Sequence, residues 1–145
     1  SYYEEFGQYS DAEKYLLKAC TLGGNFAYFN LGNHYMALDN AQMAEKYYKL
    51  AINLGPKGQV ESIHNLNILY VRQMRITDSL VILRKGAEKY NDPYSQARLG
   101  EILYMFGANC DEHPSQKDKS EGKKWIEKGA AGGDSYAIQL LSEIK

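Results

Sequence analysis

One short segment groups three kinds of side chain that can bind a metal. Residues 110–113 offer the thiol of Cys110, two carboxylates and the imidazole of His113 in consecutive positions. A closed tetrahedral site needs ligands that approach the metal from several directions, and adjacent residues on a loop do this poorly. The segment is therefore interpreted as a solvated insertion in which Pro114 and Ser115 form a turn. No metal and no cofactor is predicted.

A second group could bind anions, because five lysines are concentrated in twelve positions. They are Lys117, Lys119, Lys123, Lys124 and Lys128. The carboxylates of Asp118, Glu121 and Glu127 lie among them at helical spacings, and opposite charges three or four positions apart on a helix pair with each other. The segment is accordingly interpreted as a solvated helix face with internal ion pairs, and an anion-binding stripe is the alternative.

No other residues have the spacing of an active site. The sequence has no G-x-S-x-G motif, no glycine-rich phosphate loop, no H-E-x-x-H and no paired C-x-x-C. His34, His64 and His113 fall in three different parts of the chain, so the sequence does not bring them into one site. No catalytic residue is predicted, and the chain is not expected to be an enzyme.

The composition limits the range of partners. The 145 residues are 44% hydrophobic and 24% charged, as in a globular domain of ordinary size. A net charge of -1 gives no general attraction to nucleic acid, and no apolar run is long enough to span a bilayer. Cys20 and Cys110 are too few for a disulfide framework and are expected to be free thiols. A soluble protein is expected, with cytoplasmic location favoured over export.

The elements that position these groups recur along the chain. The pattern Leu-Gly-x-x-Tyr at 31–35 returns at 66–70 and at 99–103, with one change in each copy. Small residues that would end the second helix of each repeat are Ala19, Ala51, Ala87 and Gly129, separated by 32, 36 and 42 positions. Self-similarity at such a period indicates tandem repeats whose loops differ in length.

Each repeat has the pattern of two antiparallel helices. Apolar residues at helical spacing, with Gly, Pro and Asn between the runs, predict first helices over 26–38, 60–73 and 94–106. The same signals predict second helices over 10–21, 41–54, 77–90 and 118–131, and a last helix over 135–144. The predicted N-caps are Ser10, Asn40, Thr77 and Ser135. Gly32 and Gly100 would let helices approach closely, with Leu31, Tyr35, Tyr48 and Leu99 filling the remaining volume. Because one hairpin cannot bury its apolar face alone, the repeats are expected to stack into an all-α solenoid.

Two repeats resemble known families. Residues 25–58 resemble a tetratricopeptide repeat through Tyr28, Leu31, Gly32, Tyr35, Ala44, Tyr48, Ala51 and Pro56, with Tyr28 in the usual place of Trp. The fourth repeat is similar to a Sel-one-like repeat through Leu99, Gly100, Gly107, Asp118, Gly122, Trp125, Lys128, Gly129, Ala130, Gly133 and Ala137. The resemblance implies one domain over 1–145, a right-handed α-α superhelix of about four repeats. Their approximate bounds are 1–24 (partial), 25–58, 59–92 and 93–134, followed by a terminal helix over 135–145. Sel-one-like arrays are frequent in bacteria, which favours a bacterial source.

The resemblance also implies where a partner would bind, because first helices line the concave face in these families. The corresponding residues are Phe26, Phe29, Asn33, Met36, His64, Asn65, Ile68, Tyr94, Arg98 and Glu101, together with Ala97 and Met105. Aromatic and aliphatic groups on such a face are good anchors for a peptide or protein. The alternative is that several of them pack against the neighbouring repeat.

A more specific implication concerns the carboxylate clamp with which some tetratricopeptide domains hold a peptide C-terminus. Asn33, Asn65 and Arg98 stand at the positions of three of its polar groups, but Phe29 and Tyr94 replace its two lysines. Without those cations a chain end loses most of its ionic partners, and Asn65 would instead cap neighbouring backbone.

The expected function is therefore a non-catalytic protein–protein interaction module that binds a peptide or partner protein, with neither nucleic acid nor membrane as partner. One alternative is a self-associating segment of a longer repeat protein. In that case an N-terminal seam at Tyr2, Tyr3 and Phe6, together with Tyr9, Leu140, Leu141 and Ile144, would supply the contact. A weak hydrolase activity, reported for some Sel-one-like proteins, is the other.

Overall fold

The chain is all-helical in the part that the computed structural model describes, which is residues 13–15, 17–19, 26–55, 57–111 and 113–144. Seven complete helices lie in this part: α1 Ala27–Ala37, α2 Ala41–Leu54, α3 Gln59–Arg72, α4 Ile76–Glu88, α5 Pro93–Phe106, α6 Gln116–Ala131 and α7 Ser135–Glu143. All seven predicted counterparts are confirmed to within two residues at each end. Of the helix predicted over 10–21, the described residues 13–15 and 17–19 are helical.

No helix among the described residues is both long enough and apolar enough to cross a membrane. The chain divides into two compact units, an N-terminal unit over Ser1–Leu69 and a C-terminal unit over Tyr70–Lys145. The N-terminal unit contains α1, α2 and most of α3, and the C-terminal unit contains α4 to α7.

In the N-terminal unit, α1 packs on α2 around the ring of Tyr48. The side chains of Leu31, Tyr35 and Tyr48 are buried, as predicted. A Cβ atom on Gly32 would lie 2.6 Å from the Tyr48 ring, so the absence of a side chain at Gly32 leaves room for that ring. Tyr35 stacks on Tyr47, with 5.5 Å between ring centroids, and its hydroxyl donates to the Glu13 carboxylate. Burial, followed by that hydrogen bond, raises the pKa of Tyr35.

In the C-terminal unit, α5 and α6 approach through their backbones. A Cβ atom on Gly122 would lie 2.7 Å from the Gly100 carbonyl oxygen and 2.7 Å from the Tyr104 backbone nitrogen. A Cβ atom on Gly129 would lie 2.9 Å from the Pro93 carbonyl oxygen. Glycine is therefore required at the places where this helix pair is closest.

Two apolar clusters flank this contact in the C-terminal unit. One consists of Leu80, Leu83, Ala87, Leu99, Ile102 and Leu103 from α4 and α5. The other consists of Ala97, Ile126, Ala137 and Leu140, which joins α7 to α5 and α6. In the self-association alternative Leu140 would contribute to the contact with Leu141 and Ile144, but it is 8% exposed, and the other two pack against the same cluster. The remaining residues of that contact, Tyr2, Tyr3, Phe6 and Tyr9, lie outside the described residues.

Three turns between helices share one backbone conformation. Their central residues Asp39, Met74 and Gly133 have φ angles of 57°, 58° and 95°. The next residue in each turn donates its backbone N–H to the carbonyl five positions earlier, over 2.9, 2.8 and 3.0 Å respectively. A left-handed residue followed by such a bond is a common way to end a helix.

Two of the predicted N-caps are wrong and one is confirmed. The Asn40 side chain accepts from the backbone of the first turn of α2, as predicted. Helix α4 begins one residue before Thr77, so Thr77 lies inside the helix. Helix α7 is capped by Asp134 and not by Ser135, because the carboxylate one position earlier accepts the Ala137 N–H at 2.9 Å. Ser10 lies outside the described residues.

Candidate partner-binding faces

The first candidate face lies on α1 and α3 of the N-terminal unit and is organised by three hydrogen bonds. Asn33 Oδ1 accepts from the Tyr48 hydroxyl at 2.6 Å and from Asn65 Nδ2 at 2.8 Å. Asn65 Nδ2 also lies 3.4 Å from the Tyr48 hydroxyl oxygen. The prediction that Asn65 caps neighbouring backbone is therefore wrong, because its amide donates to Asn33 on α1.

These bonds fix the two amides while leaving part of each unused. Burial raises the pKa of Tyr48, so its hydroxyl stays protonated and donates to Asn33. The three bonds do not engage Asn33 Nδ2 or Asn65 Oδ1, and both asparagines are only half-buried. The pair thus holds one amide donor group and one carbonyl acceptor in a defined orientation.

The apolar residues predicted for this face have different environments. Phe26 and Phe29 contact each other edge to face, with 6.3 Å between centroids, and Phe29 lies at the same distance from Tyr48. A Cβ atom on Gly58 would lie 2.9 Å from Phe29 Cβ and 3.2 Å from Phe26 Cδ1, so both rings pack around the α2–α3 loop of their own repeat. Ile68 is 40% exposed. Met36 and His64 are half-buried.

The second candidate face lies on α5 and α7 of the C-terminal unit. The Arg98 guanidinium carbon is 4.7 Å from the Tyr94 ring centroid and 3.8 Å from that of Tyr136. Such stacking fixes the plane of the guanidinium. Among the described residues, nothing accepts a hydrogen bond from the buried Arg98 Nη1.

Tyr136 completes this second face, although sequence reasoning missed it. Its hydroxyl donates to the Glu101 carboxylate, and that bond, followed by burial, raises the pKa of Tyr136 to about 12. The signal was present in the sequence, because the predicted terminal helix occupies the place of a first helix in a following repeat. Extending the first-helix pattern into that helix would have included Tyr136.

Ala97 was predicted for the same face, and this prediction is wrong. It is fully buried, and its backbone nitrogen lies 3.1 Å from where a Cβ atom on Gly129 would stand. The close approach of α6 covers this side of α5. Met105, by contrast, is 55% exposed.

The metal-ligand types of residues 110–113 do not meet in a site within the described part, where no three His, Cys, Asp or Glu side chains are close enough to share an ion. Cys110 is a free thiol that packs against the α4–α5 cluster. The segment was expected to be a solvated insertion, but this end of it is partly buried. Ser115 caps α6 and forms a capping box with Asp118. Cys20 and Glu112 lie outside the described residues.

The ion pairs predicted along α6 do not form among its described residues. Asp118 accepts from the backbone N–H groups of Ala108 at 3.2 Å and Ser115 at 3.4 Å, and these bonds hold its pKa below the usual value. Glu121 Oε1 accepts from Arg84 Nη1 of α4 at 2.9 Å and faces Trp125 Nε1 at 3.4 Å. Two of the three carboxylates are therefore engaged by groups other than lysine. Within the described residues, none of the five lysines forms an ion pair.

Comparison with known proteins identifies no relative of the chain. No family model matches it, and neither a curated protein nor a solved structure is significantly similar to it.

Proposed function

We propose that the protein is a non-catalytic interaction module of the tetratricopeptide or Sel-one-like type. In this proposal its repeats stack into a right-handed superhelix, and the first helices bind a peptide or a partner protein. The observation that carries it is the hydrogen bond between Asn33 and Asn65, which joins the first helices of two successive predicted repeats.

The unused groups of this pair match the needs of a peptide. Each peptide unit of an extended chain carries one N–H donor and one C=O acceptor. Asn65 Oδ1 and Asn33 Nδ2 offer the complementary acceptor and donor. Because Asn33 Oδ1 already holds two hydrogen bonds, the amides do not have to be ordered when a partner binds, which lowers the entropic cost of association.

The neighbouring side chains support recognition of an apolar group beside that peptide. Ile68 lies on α3 one turn after Asn65 and is 40% exposed, and Met36 lies one turn after Asn33. A few apolar anchors next to oriented polar groups are typical of peptide-binding surfaces. The amides, aliphatic groups and rings of this face suit binding more than bond cleavage.

The test is capture of binding proteins on the immobilised protein, followed by measurement of the affinity of each captured protein. Ile68→Ser and Asn33→Ala change the proposed face, whereas Leu54→Ser is the matched control, because Leu54 is 63% exposed on a second helix. A partner whose affinity falls about tenfold with the first two variants, and stays within about twofold with the control, supports the proposal. A partner bound equally by all four proteins would place binding elsewhere. All variants are first compared by circular dichroism and thermal melting.

A further inference from the structure

We infer that α6 of the C-terminal unit carries a second binding site, for an acidic peptide segment with one aromatic or aliphatic anchor. The site is a depression lined by Glu121, Lys124, Trp125 and Lys128. It lies on a second helix, so it is distinct from the first-helix faces proposed above and does not depend on them. The inference rests on the shape of the depression and on the charges around it.

The depression is small, and the only tryptophan of the chain forms part of its lining. Its volume is about 290 Å³, and it is open to solvent. Ligand pockets for whole small molecules are generally larger, from roughly 300 to 1,000 Å³. The Trp125 indole forms part of the lining while its other side packs against the α4–α5 cluster, so the ring is held in place before a partner arrives. Fixed, partly exposed Trp rings are among the commonest anchors of protein interfaces.

The charges at the mouth of the depression are not balanced locally. Arg84 neutralises Glu121, the one carboxylate in the lining, at 2.9 Å, and also contacts Glu88 at 3.2 Å. Lys124 and Lys128 are both exposed, and neither forms an ion pair within the described part of the chain. Lys128 Nζ lies 5.4 Å from the Trp125 ring centroid. Two unpaired ammonium groups thus flank an apolar ring.

An acidic peptide fits this combination better than other anionic partners do. A peptide can place one apolar side chain against Trp125 and carboxylates against Lys124 and Lys128 within a few residues. Nucleic acids bind through many phosphate contacts at once, and a chain of net charge -1 gives little long-range attraction for them. Membrane surfaces likewise attract clusters of four to eight basic residues rather than a pair around one ring.

The inference is tested by selecting randomised displayed peptides on the full chain at about 0.05 M salt, with Lys124→Glu as the negative selection. The enriched peptide is then titrated against the intrinsic fluorescence of Trp125, which reports this depression alone because the chain has one tryptophan. Lys123→Glu is the matched control, since it is the neighbouring exposed lysine, changes the net charge equally and lies outside the depression.

The expected peptides combine Asp or Glu with one aromatic or aliphatic residue. Their affinity should fall about tenfold in Lys124→Glu, change less than about twofold in Lys123→Glu, and weaken as salt is raised to about 0.5 M. The inference is overturned if no peptide is enriched, if the enriched peptides are not acidic, or if both variants bind equally. Binding of anionic vesicles or a single-stranded oligonucleotide in place of any peptide would also overturn it. Ile68→Ser should leave this affinity unchanged, which separates the outcome from that of the first-helix face.

Discussion

The glycine of the Leu-Gly-x-x-Tyr pattern makes a different contact in each of the two compact units. Gly32 in the N-terminal unit makes room for the buried ring of Tyr48, whereas Gly100 in the C-terminal unit lies against the backbone of α6. The difference follows from the facing helix. Seven residues before the small residue that ends the second helix, the N-terminal unit has Ala44 and the C-terminal unit has Gly122. Where that position is glycine the backbones meet, and where it is alanine a side chain fills the interface.

The largest effect is expected from Gly122→Ala. The added methyl group would lie 2.7 Å from two backbone atoms of α5, so the helices have to separate. We expect the free energy of unfolding to fall by about 3 kcal/mol, even after the higher helix propensity of alanine is included. Urea denaturation measures this change. A loss below about 1 kcal/mol would show that the helix pair adjusts easily.

Gly32→Ala should be milder, because its methyl group meets the ring of Tyr48 and a side chain can move. We expect a loss of about 1 to 2 kcal/mol. Tyr48→Leu replaces the ring by a smaller side chain. The effects of Gly32→Ala and Tyr48→Leu on stability should therefore be non-additive, with a coupling of about 1 kcal/mol in a double-mutant cycle. Additive effects would contradict the assignment of the ring as the obstacle. For Gly122→Ala no such rescue exists, because the obstructing nitrogen and oxygen belong to the backbone.

Removal of a polar contact should change the free energy of unfolding differently in the two candidate faces, as measured by urea denaturation. Asn65→Ala removes a neutral hydrogen bond to Asn33, and we expect a loss of about 1 kcal/mol that does not vary with pH. Asn30, an exposed asparagine of α1, provides a control substitution, and Asn30→Ala should change stability by less than about 0.5 kcal/mol. Equal effects at the two positions would argue against the Asn33–Asn65 bond.

In the C-terminal unit the polar contact of the candidate face is the hydrogen bond from the Tyr136 hydroxyl to the Glu101 carboxylate. Its contribution to stability should depend on pH. The pKa of Tyr136 is raised from 10.0 to about 12, so folding favours the protonated phenol. The stability that this provides is complete below pH 10 and is lost as pH rises through about 12. The difference in unfolding midpoint between the wild type and Tyr136→Phe should therefore narrow above pH 10. A constant difference would show that the Glu101 bond does not control this titration.

The smallest changes in stability are expected from substitutions in the turns between helices. Met74 is 87% exposed and adopts a left-handed conformation that glycine tolerates better. We expect Met74→Gly to stabilise the protein by roughly 0.5 kcal/mol. Asp39→Gly, at the matching position of the N-terminal unit, should have less effect because Asp tolerates this conformation. Thermal melting of the two variants measures both changes, and destabilisation by Met74→Gly would contradict the reasoning.

The helices could be predicted from the sequence because their signals are local. Apolar period and turn residues specified seven of them within two residues, and small residues such as Gly100 and Ala51 are buried where the repeat places them. The prediction of Ser135 as the cap of α7 was wrong, since adjacent capping residues give the same signal one position apart.

The candidate sites were less predictable because they depend on contacts between helices. Helical spacing alone pairs Glu121 with a neighbouring lysine, but Arg84, 37 positions earlier, takes that carboxylate. The Asn33–Asn65 bond likewise spans 32 positions, and nothing local distinguishes it from a backbone cap. Ala97 satisfied the first-helix pattern, and only the glycine contact between α5 and α6 shows why it is buried.

The three similar turns bear on how such a chain can diverge. Asp39, Met74 and Gly133 have no side-chain chemistry in common, yet the backbone bonds around them are the same. After a duplication, selection on these turns would act on a shape that several residues can adopt. The backbone shape of these turns, and not their side chains, is then what a related chain would have to retain.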